Sequence, residues 1–261
     1  MNIKTIRKII IDGIVNIGLL KRPSIRYCID NELLPSLLAR TSCHTVRKIL
    51  NLPASEFQTQ LNQDIFALLM NQFRAGFFIE IGANDGFTFS NTVYLEEHFG
   101  WKGILIEPND KYLISLGKRE KSIVINKAIS SKPGKAEFID AGLYGGLKSV
   151  LDETHNIYTK NAQCISVDCM ALQDILDSAS APDQIDFISI DVEGGEVPIA
   201  EQMVSSNRRF RCGCIEYNNR IEDYKQIVAL LKSADYEVVW DAQTEQDLFF
   251  VDRACPISPL L

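Results

Sequence analysis

Two acidic residues, each at the end of an apolar run and about one βα unit apart, carry the most chemistry in this sequence. The first run, Phe77-Phe78-Ile79-Glu80-Ile81, leads into Gly82-Ala83-Asn84-Asp85-Gly86. Apolar, partly β-branched residues suit a buried parallel strand, and a turn bounded by glycines lets backbone approach a ligand closely. The second run, Gly103-Ile104-Leu105-Ile106, ends at Glu107-Pro108-Asn109. An acid in this place is the usual device for holding the hydroxyls of a nucleoside ribose, and a carboxylate can accept both at once. Glu107 is therefore assigned to the ribose, with Pro108 beside it. Gly82, Ala83 and Gly86 bring backbone to the rest of the ligand, Asn84 is a polar clamp in the same turn, and Glu80 or Asp85 receives a cationic group. Ala128, within Lys127-Ala128-Ile129 just past the next apolar run, is expected at the edge of the base.

Charge decides which nucleoside. A dinucleotide fingerprint is Gly-x-Gly-x-x-Gly, which leaves helix N–H groups open to a pyrophosphate. Here only Gly82 and Gly86 are present, and Asp85 sits in the turn with Glu80 before it. An anionic turn repels a pyrophosphate and suits a cationic or zwitterionic ligand. S-adenosylmethionine has a sulfonium, an ammonium and a ribose diol but no phosphate, so it is preferred to a nicotinamide dinucleotide. A sheet of the same kind that binds nothing is the alternative.

Longer blocks point the same way. Ile81-Gly82-Ala83-Asn84-Asp85-Gly86, Ser90-Asn91-Thr92-Val93-Tyr94-Leu95-Glu96 and Gly100-Trp101-Lys102-Gly103-Ile104-Leu105-Ile106-Glu107-Pro108-Asn109 follow in order. Ile185-Asp186-Phe187-Ile188-Ser189-Ile190-Asp191-Val192-Glu193-Gly194 and the weaker Ile215-Glu216-Tyr217-Asn218 come later. Over about residues 62–253 the chain resembles the FkbM-type methyltransferases. The resemblance implies a Rossmann-like methyltransferase fold, bound S-adenosylmethionine and methyl transfer to an oxygen, often a hydroxyl of a sugar or natural product.

On that reading Asp191 and Glu193 are the catalytic candidates, at the end of the fourth strand of the sheet. Methylation of an alcohol is a direct displacement, for which alignment supplies much of the rate and a positioned base takes the proton. A carboxylate shielded from water has raised proton affinity and can serve. Alternatively, Asp191 only orders the cofactor, where it is also a binding candidate, and Glu193 only caps the next helix. Asp191, Glu193, Glu216 and Asp168 could together hold a magnesium-like ion. Their spacing does not demand one, so no metal site is assigned. Ser90, Asn91 and Thr92 read as a helix cap, and Glu96 could order that turn by a salt bridge. His44 and His98 read as structural, and His155 is a remote candidate base.

These residues need a frame. The chain reads as α/β: a Rossmann-like methyltransferase sheet, mostly parallel with an antiparallel last strand, helices on both faces and an N-terminal helical extension. Residues 1–60 form the extension and 61–261 the methyltransferase domain. Strands are expected at 77–81, 103–106, 122–126, 187–191, 212–216, 236–240 and 248–252. Helices are expected over 57–69, capped by Ser55, and over 90–99, 111–118 and 221–233. An insertion at about 130–167 holds two further strands, 135–139 and 163–167, and a flexible Gly142-x-x-Gly145-Gly146 loop. A segment of that length reads as an active-site lid or as a peripheral hairpin. Tyr144, His155 and Tyr158 are its candidates for touching an acceptor.

Composition sets outer limits. A formal net charge of −7 disfavours a nucleic-acid substrate, which demands a basic face. Seven cysteines without CxxC pairs read as reduced, mostly buried thiols of a cytoplasmic protein. Ile3, Ile6, Ile10, Ile14 and Ile17 share one face of an N-terminal helix, interrupted by Asp12 and Asn16. That face suits the domain itself, a homodimer contact or peripheral attachment to a membrane, and the run is too broken to span one. The acceptor is expected to be a small molecule, a glycan or a sugar nucleotide. N-methylation, protein methylation and a non-catalytic cofactor-binding scaffold are the competing functions.

Overall fold

A computed structural model describes residues 43–49, 51–57, 59–151, 156–239 and 246–254. The expected helical face at residues 3–17, the rest of the extension before residue 43, and His155 lie outside these described residues.

The main sheet has seven strands: β1 (Phe77–Ile81), β2 (Lys102–Ile106), β3 (Ser122–Ile125), β9 (Phe187–Ile190), β11 (Cys212–Glu216), β12 (Tyr236–Val239) and β13 (Asp247–Asp252). Their order is β12-β13-β11-β9-β1-β2-β3. All neighbours pair in parallel except β13, which runs against both β11 and β12. This is the mostly parallel sheet with a reversed last strand that the family resemblance implies.

Side-chain alternation divides the core into two layers. Ile79, Ile81, Ile104, Ile106, Ile188, Ile190 and Ile215 face one side, against helices Leu172–Ser178, Glu196–Ser205 and Ile221–Ser233. Phe78, Leu105, Phe187, Cys212, Cys214 and Phe249 face the other, against helices Cys43–Ile49, Gln63–Met70, Val93–Phe99 and Leu113–Leu116. The central strands β1, β9 and β11 are covered on both faces, which is why their sequences read as near-continuous apolar runs.

Several boundaries differ from expectation, each for a tertiary reason. The helix expected over 57–69 begins at Gln63, because the Ser55 hydroxyl accepts from the Phe57 amide in a turn and the Phe57 ring packs on Phe87 at 5.2 Å. The helix expected from residue 90 begins at Val93, since Ser90, Asn91 and Thr92 are bound to Glu80 instead. The helix expected over 111–118 is a 3-10 turn at Asp110–Tyr112 followed by a short helix, Leu113–Leu116. Helix Leu172–Ser178 had no counterpart in the sequence reading, and the helix expected after the fourth strand runs over Glu196–Ser205.

The insertion is neither a bare loop nor a simple hairpin. β4 (Ala128–Ile129), β5 (Gly134–Asp140), β6 (Gly146–Leu147) and β7 (Gln163–Met170) form a second, four-stranded sheet in the order β4-β7-β5-β6. β8 (Gln184–Ile185) and β10 (Arg209–Phe210) make a separate short pair. Of the four cysteines whose side chains are described, Cys169, Cys212 and Cys214 are buried, while Cys164 is exposed, and all are free. Among the described residues no helix is long and apolar enough to cross a membrane.

Candidate functional site

Strand register assembles the site. Ile106 pairs with Ile81, Ile81 with Ile190, and Ile190 with Ile215. The residues that follow, Glu107, Gly82, Asp191 and Glu216, therefore form one row along the carboxyl edges of four adjacent strands. Antiparallel β13 adds Asp247 opposite Glu216. A cavity of about 280 Å³ opens over this row, close to the size of small-molecule sites.

Glu107 occupies one end of it, with Pro108 and Ala128 in the same wall. Its Oε2 accepts from the Asn84 amide at 2.9 Å and its Oε1 from the Asn109 amide at 2.8 Å. Each oxygen has a second lone pair, so the carboxylate can still accept two hydroxyls. Burial pushes its pKa to about 7, against the pull of the Asn109 and Asn84 amides.

The turn after β1 is shaped by close approach. Gly82 has φ +87°, and a Cβ there would lie 1.7 Å from the Asp191 carbonyl oxygen. Asn84 also takes a left-handed conformation, and its Nδ2 donates to the Gly142 carbonyl at 3.3 Å, joining the turn to the insertion. Gly82, Ala83 and Asn84 line the cavity, whereas Asp85 and Gly86 are not among its lining residues. The Asp85 carboxylate accepts from Thr88 Oγ1 and from the Phe87 and Thr88 amides, which hold its pKa down despite partial burial. It closes its own turn rather than facing the cavity.

Glu80 lines the cavity but is engaged from behind. It accepts from the Asn91 amide at 2.7 Å, Ser90 Oγ at 2.9 Å and Thr92 Oγ1 at 2.5 Å. Burial raises its pKa, opposed by Arg119 and these bonds. Ser90 Oγ in turn accepts from the Val93 amide at 3.1 Å, so a cap bond reaches the helix from three residues before its start, while the N-cap Thr92 makes none with its side chain. Glu96 pairs with Arg119 at 2.9 Å, and Arg119 donates to the Gly86 carbonyl at 2.6 Å. The salt bridge expected to order the turn is thus a buried one.

The other end of the cavity is acidic. Carboxylate oxygens of Asp191, Glu193 and Glu216 lie within 4.8 Å of one another. Burial and then Asp247 raise the Asp191 pKa to about 7, while a bond from Glu216 favours its charged form. Burial and then Asp191 push Glu216 up to about 12, so Glu216 carries the proton between them. Burial takes Asp247 to about 6, with a Gln63 Nε2 bond at 2.9 Å working against it. Glu193 reaches the group from a left-handed backbone, φ +59°. The Val192 and Gly194 amides donate to Glu196, itself paired with Arg220 at 2.5 Å. Glu196 thus orders the loop that leads from β9 into helix Glu196–Ser205. Asp168 is not part of this group, because it sits on the surface of the insertion, paired with Lys127 and Lys135 at 3.1 Å each.

The insertion supplies the remaining wall through Gly142, Leu143, Tyr144, Gly145, Leu147 and Val150. The Tyr144 ring stacks on Tyr158, centroids 4.0 Å apart. His44 and His98 are not among the lining residues. Asp247, Gln60, Asn218 and Gln246 belong to the cavity or its acidic end and escaped the sequence reading. Only the polar-to-apolar break before Leu248 hinted at Asp247.

A doubly wound sheet with one reversed strand, helices on both faces and an acid ending its second strand is a Rossmann-like methyltransferase fold. The chain belongs to the FkbM methyltransferase family: the model of the methyltransferase FkbM domain matches residues 80–238. None of the curated proteins matches it. Among solved structures it is similar to a Methanococcus jannaschii fibrillarin pre-rRNA processing protein, at 14% identity and TM-score 0.40, over 69% of this chain and 66% of that one. An FkbM methyltransferase from Methylobacillus flagellatus KT gives 14% identity and TM-score 0.41, over 67% of this chain and 43% of that one. The O-methyltransferase TomG from Streptomyces achromogenes, in complex with SAM, gives 10% and 0.44, over 84% and 93%. The chain thus spans less than two thirds of the length of the first two.

Proposed function

We propose that the protein is an S-adenosylmethionine-dependent O-methyltransferase acting on a hydroxyl of a small molecule or glycan. The observation that carries this reading is the row Glu107–Gly82–Asp191–Glu216. It sets a diol-binding carboxylate and a close backbone turn at one end of a cavity and proton-accepting carboxylates at the other. The Glu107 end suits a ribose, and Ala128 and Ile129 offer an apolar edge to adenine. The middle of the cavity is flanked by Glu80, which suits a cationic sulfonium or ammonium and repels a pyrophosphate.

In the reaction the acceptor oxygen attacks the sulfonium methyl. The C–S bonding pair goes to sulfur, leaving a neutral thioether, and the hydroxyl proton passes to a carboxylate. Asp191, with a pKa near 7, is matched to that task at neutral pH. The acidic lining also disfavours an acceptor bearing bare phosphates, so neutral polyols are preferred to sugar nucleotides.

Calorimetric titration with S-adenosylmethionine and S-adenosylhomocysteine tests the reading, with Glu107→Ala as control. Micromolar binding abolished by the substitution is expected. Folded protein that binds neither ligand would sink the proposal, and a cofactor-bound protein that methylates none of a panel of polyols, amines and peptides would support the scaffold alternative.

A further inference from the structure

We propose that Asp191, Glu193 and Glu216 bind one hard divalent cation of the magnesium or manganese type at the acid end of the cavity. What the ion would do there rests on the methyltransferase reading, whereas its binding stands on the carboxylates alone.

Three observations converge on it. The first is geometry: three carboxylates from the end of β9, the loop after it and the end of β11 point into one space within 4.8 Å. Oxygens bound to such an ion at about 2.1 Å lie about 3.0 Å apart when adjacent and about 4.2 Å when opposite, so closure needs side-chain movements of no more than about 1–2 Å. The second is an orphan. Glu216 is 9% exposed and lines the cavity, yet its Oε2 is buried and meets no hydrogen-bond donor. In the ion-free protein only the proton shared with Asp191 satisfies this carboxyl, and a cation in the cavity takes that proton's place. The third is that the described cations around the cavity form ion pairs with other acids: Arg220 with Glu196 at 2.5 Å and Asp223 at 2.9 Å, and Lys127 with Asp168 at 3.1 Å.

The donor set is all oxygen, which selects magnesium- or manganese-like ions over zinc or copper. Three carboxylates leave about three positions of an octahedron open. Two adjacent oxygens of a polyol fit two of them, which would favour acceptors with vicinal hydroxyls. An ion so placed lowers the proton affinity of the acceptor hydroxyl it holds, and the Asp191 oxygen not bound to the ion takes the proton.

The test is titration of the whole protein with Mn²⁺, without cofactor, following the loss of the free-ion electron paramagnetic resonance signal. S-adenosylmethionine binding is measured by calorimetry on the same preparations. Saturable binding of one Mn²⁺, displaced by Mg²⁺, is expected for the native chain. Glu216→Gln and Asp191→Asn should each weaken it at least tenfold, while Asp168→Asn leaves it within twofold. No saturable site on the native protein overturns the proposal, whatever the variants do. Binding unchanged by Glu216→Gln and Asp191→Asn overturns it equally, since the ion then sits elsewhere. Should either variant fail to fold by circular dichroism, the other decides. S-adenosylmethionine binding without Mn²⁺ binding refutes the ion alone, and the converse refutes the cofactor reading alone.

Discussion

Replacing Glu107 with glutamine keeps the shape of the side chain and removes its titration, so the pH dependence of stability isolates the carboxylate. In the folded chain its pKa is about 7, against an ordinary 4.5. The folded state therefore holds a proton that the unfolded state releases between those values. The stabilisation from this proton is complete below pH 4.5 and is lost as the pH rises through 7. Linkage over a shift of this size gives a loss of about 2.5 kcal/mol between pH 5 and pH 8. Other buried acids such as Asp191 and Asp247 titrate in both proteins and cancel in the difference. Glutamine also turns a donor toward either the Asn84 or the Asn109 amide, a penalty of about 1–3 kcal/mol that does not vary with pH. Urea unfolding of both proteins at pH 5 and pH 8 measures the difference. The native chain should lose about 2.5 kcal/mol relative to Glu107→Gln across that interval. A difference constant to within about 0.5 kcal/mol would show that Glu107 is already ionised at pH 5, and the raised affinity argued from its burial would be wrong.

Gly82→Ala should destabilise the protein by about 4 kcal/mol or more in urea unfolding, because the new Cβ meets the Asp191 carbonyl at 1.7 Å on a left-handed backbone. A loss under about 1 kcal/mol would mean the β1 turn and the end of β9 are further apart than described. Arg119→Ala leaves Glu96 buried without its partner and frees the Gly86 carbonyl, at a cost of about 3–5 kcal/mol. Cofactor affinity should fall along with it, since the turn loses its anchor, and an unchanged affinity in the folded variant would refute that link.

Most of the frame was legible in the chain itself. Buried parallel strands are apolar on both faces, so Phe77–Ile81, Phe187–Ile190 and Cys212–Glu216 stand out without any partner being known. Acids at strand ends stand out for the same reason, since they interrupt those apolar runs. Glu107 could be named from its place at a strand end, and so could the break of the β1 strand at Gly82, whereas Asp191 was named through the family resemblance.

Neighbourhood was not legible, because it depends on register between segments far apart in sequence. Glu80 and Asp85 look alike as ammonium ligands in the one-dimensional pattern. Only folding brings Ser90, Asn91 and Thr92 over Glu80 and curls Asp85 back onto Thr88. Asp168 and Glu216 look equally fit to join Asp191, yet pairing of β11 with β9 places Glu216 beside it, while β7 carries Asp168 out to two lysines. Asp247 enters the acidic end because β13 runs backwards against β11, a choice that strand composition does not encode. Local propensity and apolar period thus determine which segments become strands and where each one ends. Which ends meet, and hence which acids share a proton or a cation, is decided by long-range backbone pairing and by the helices packed across it.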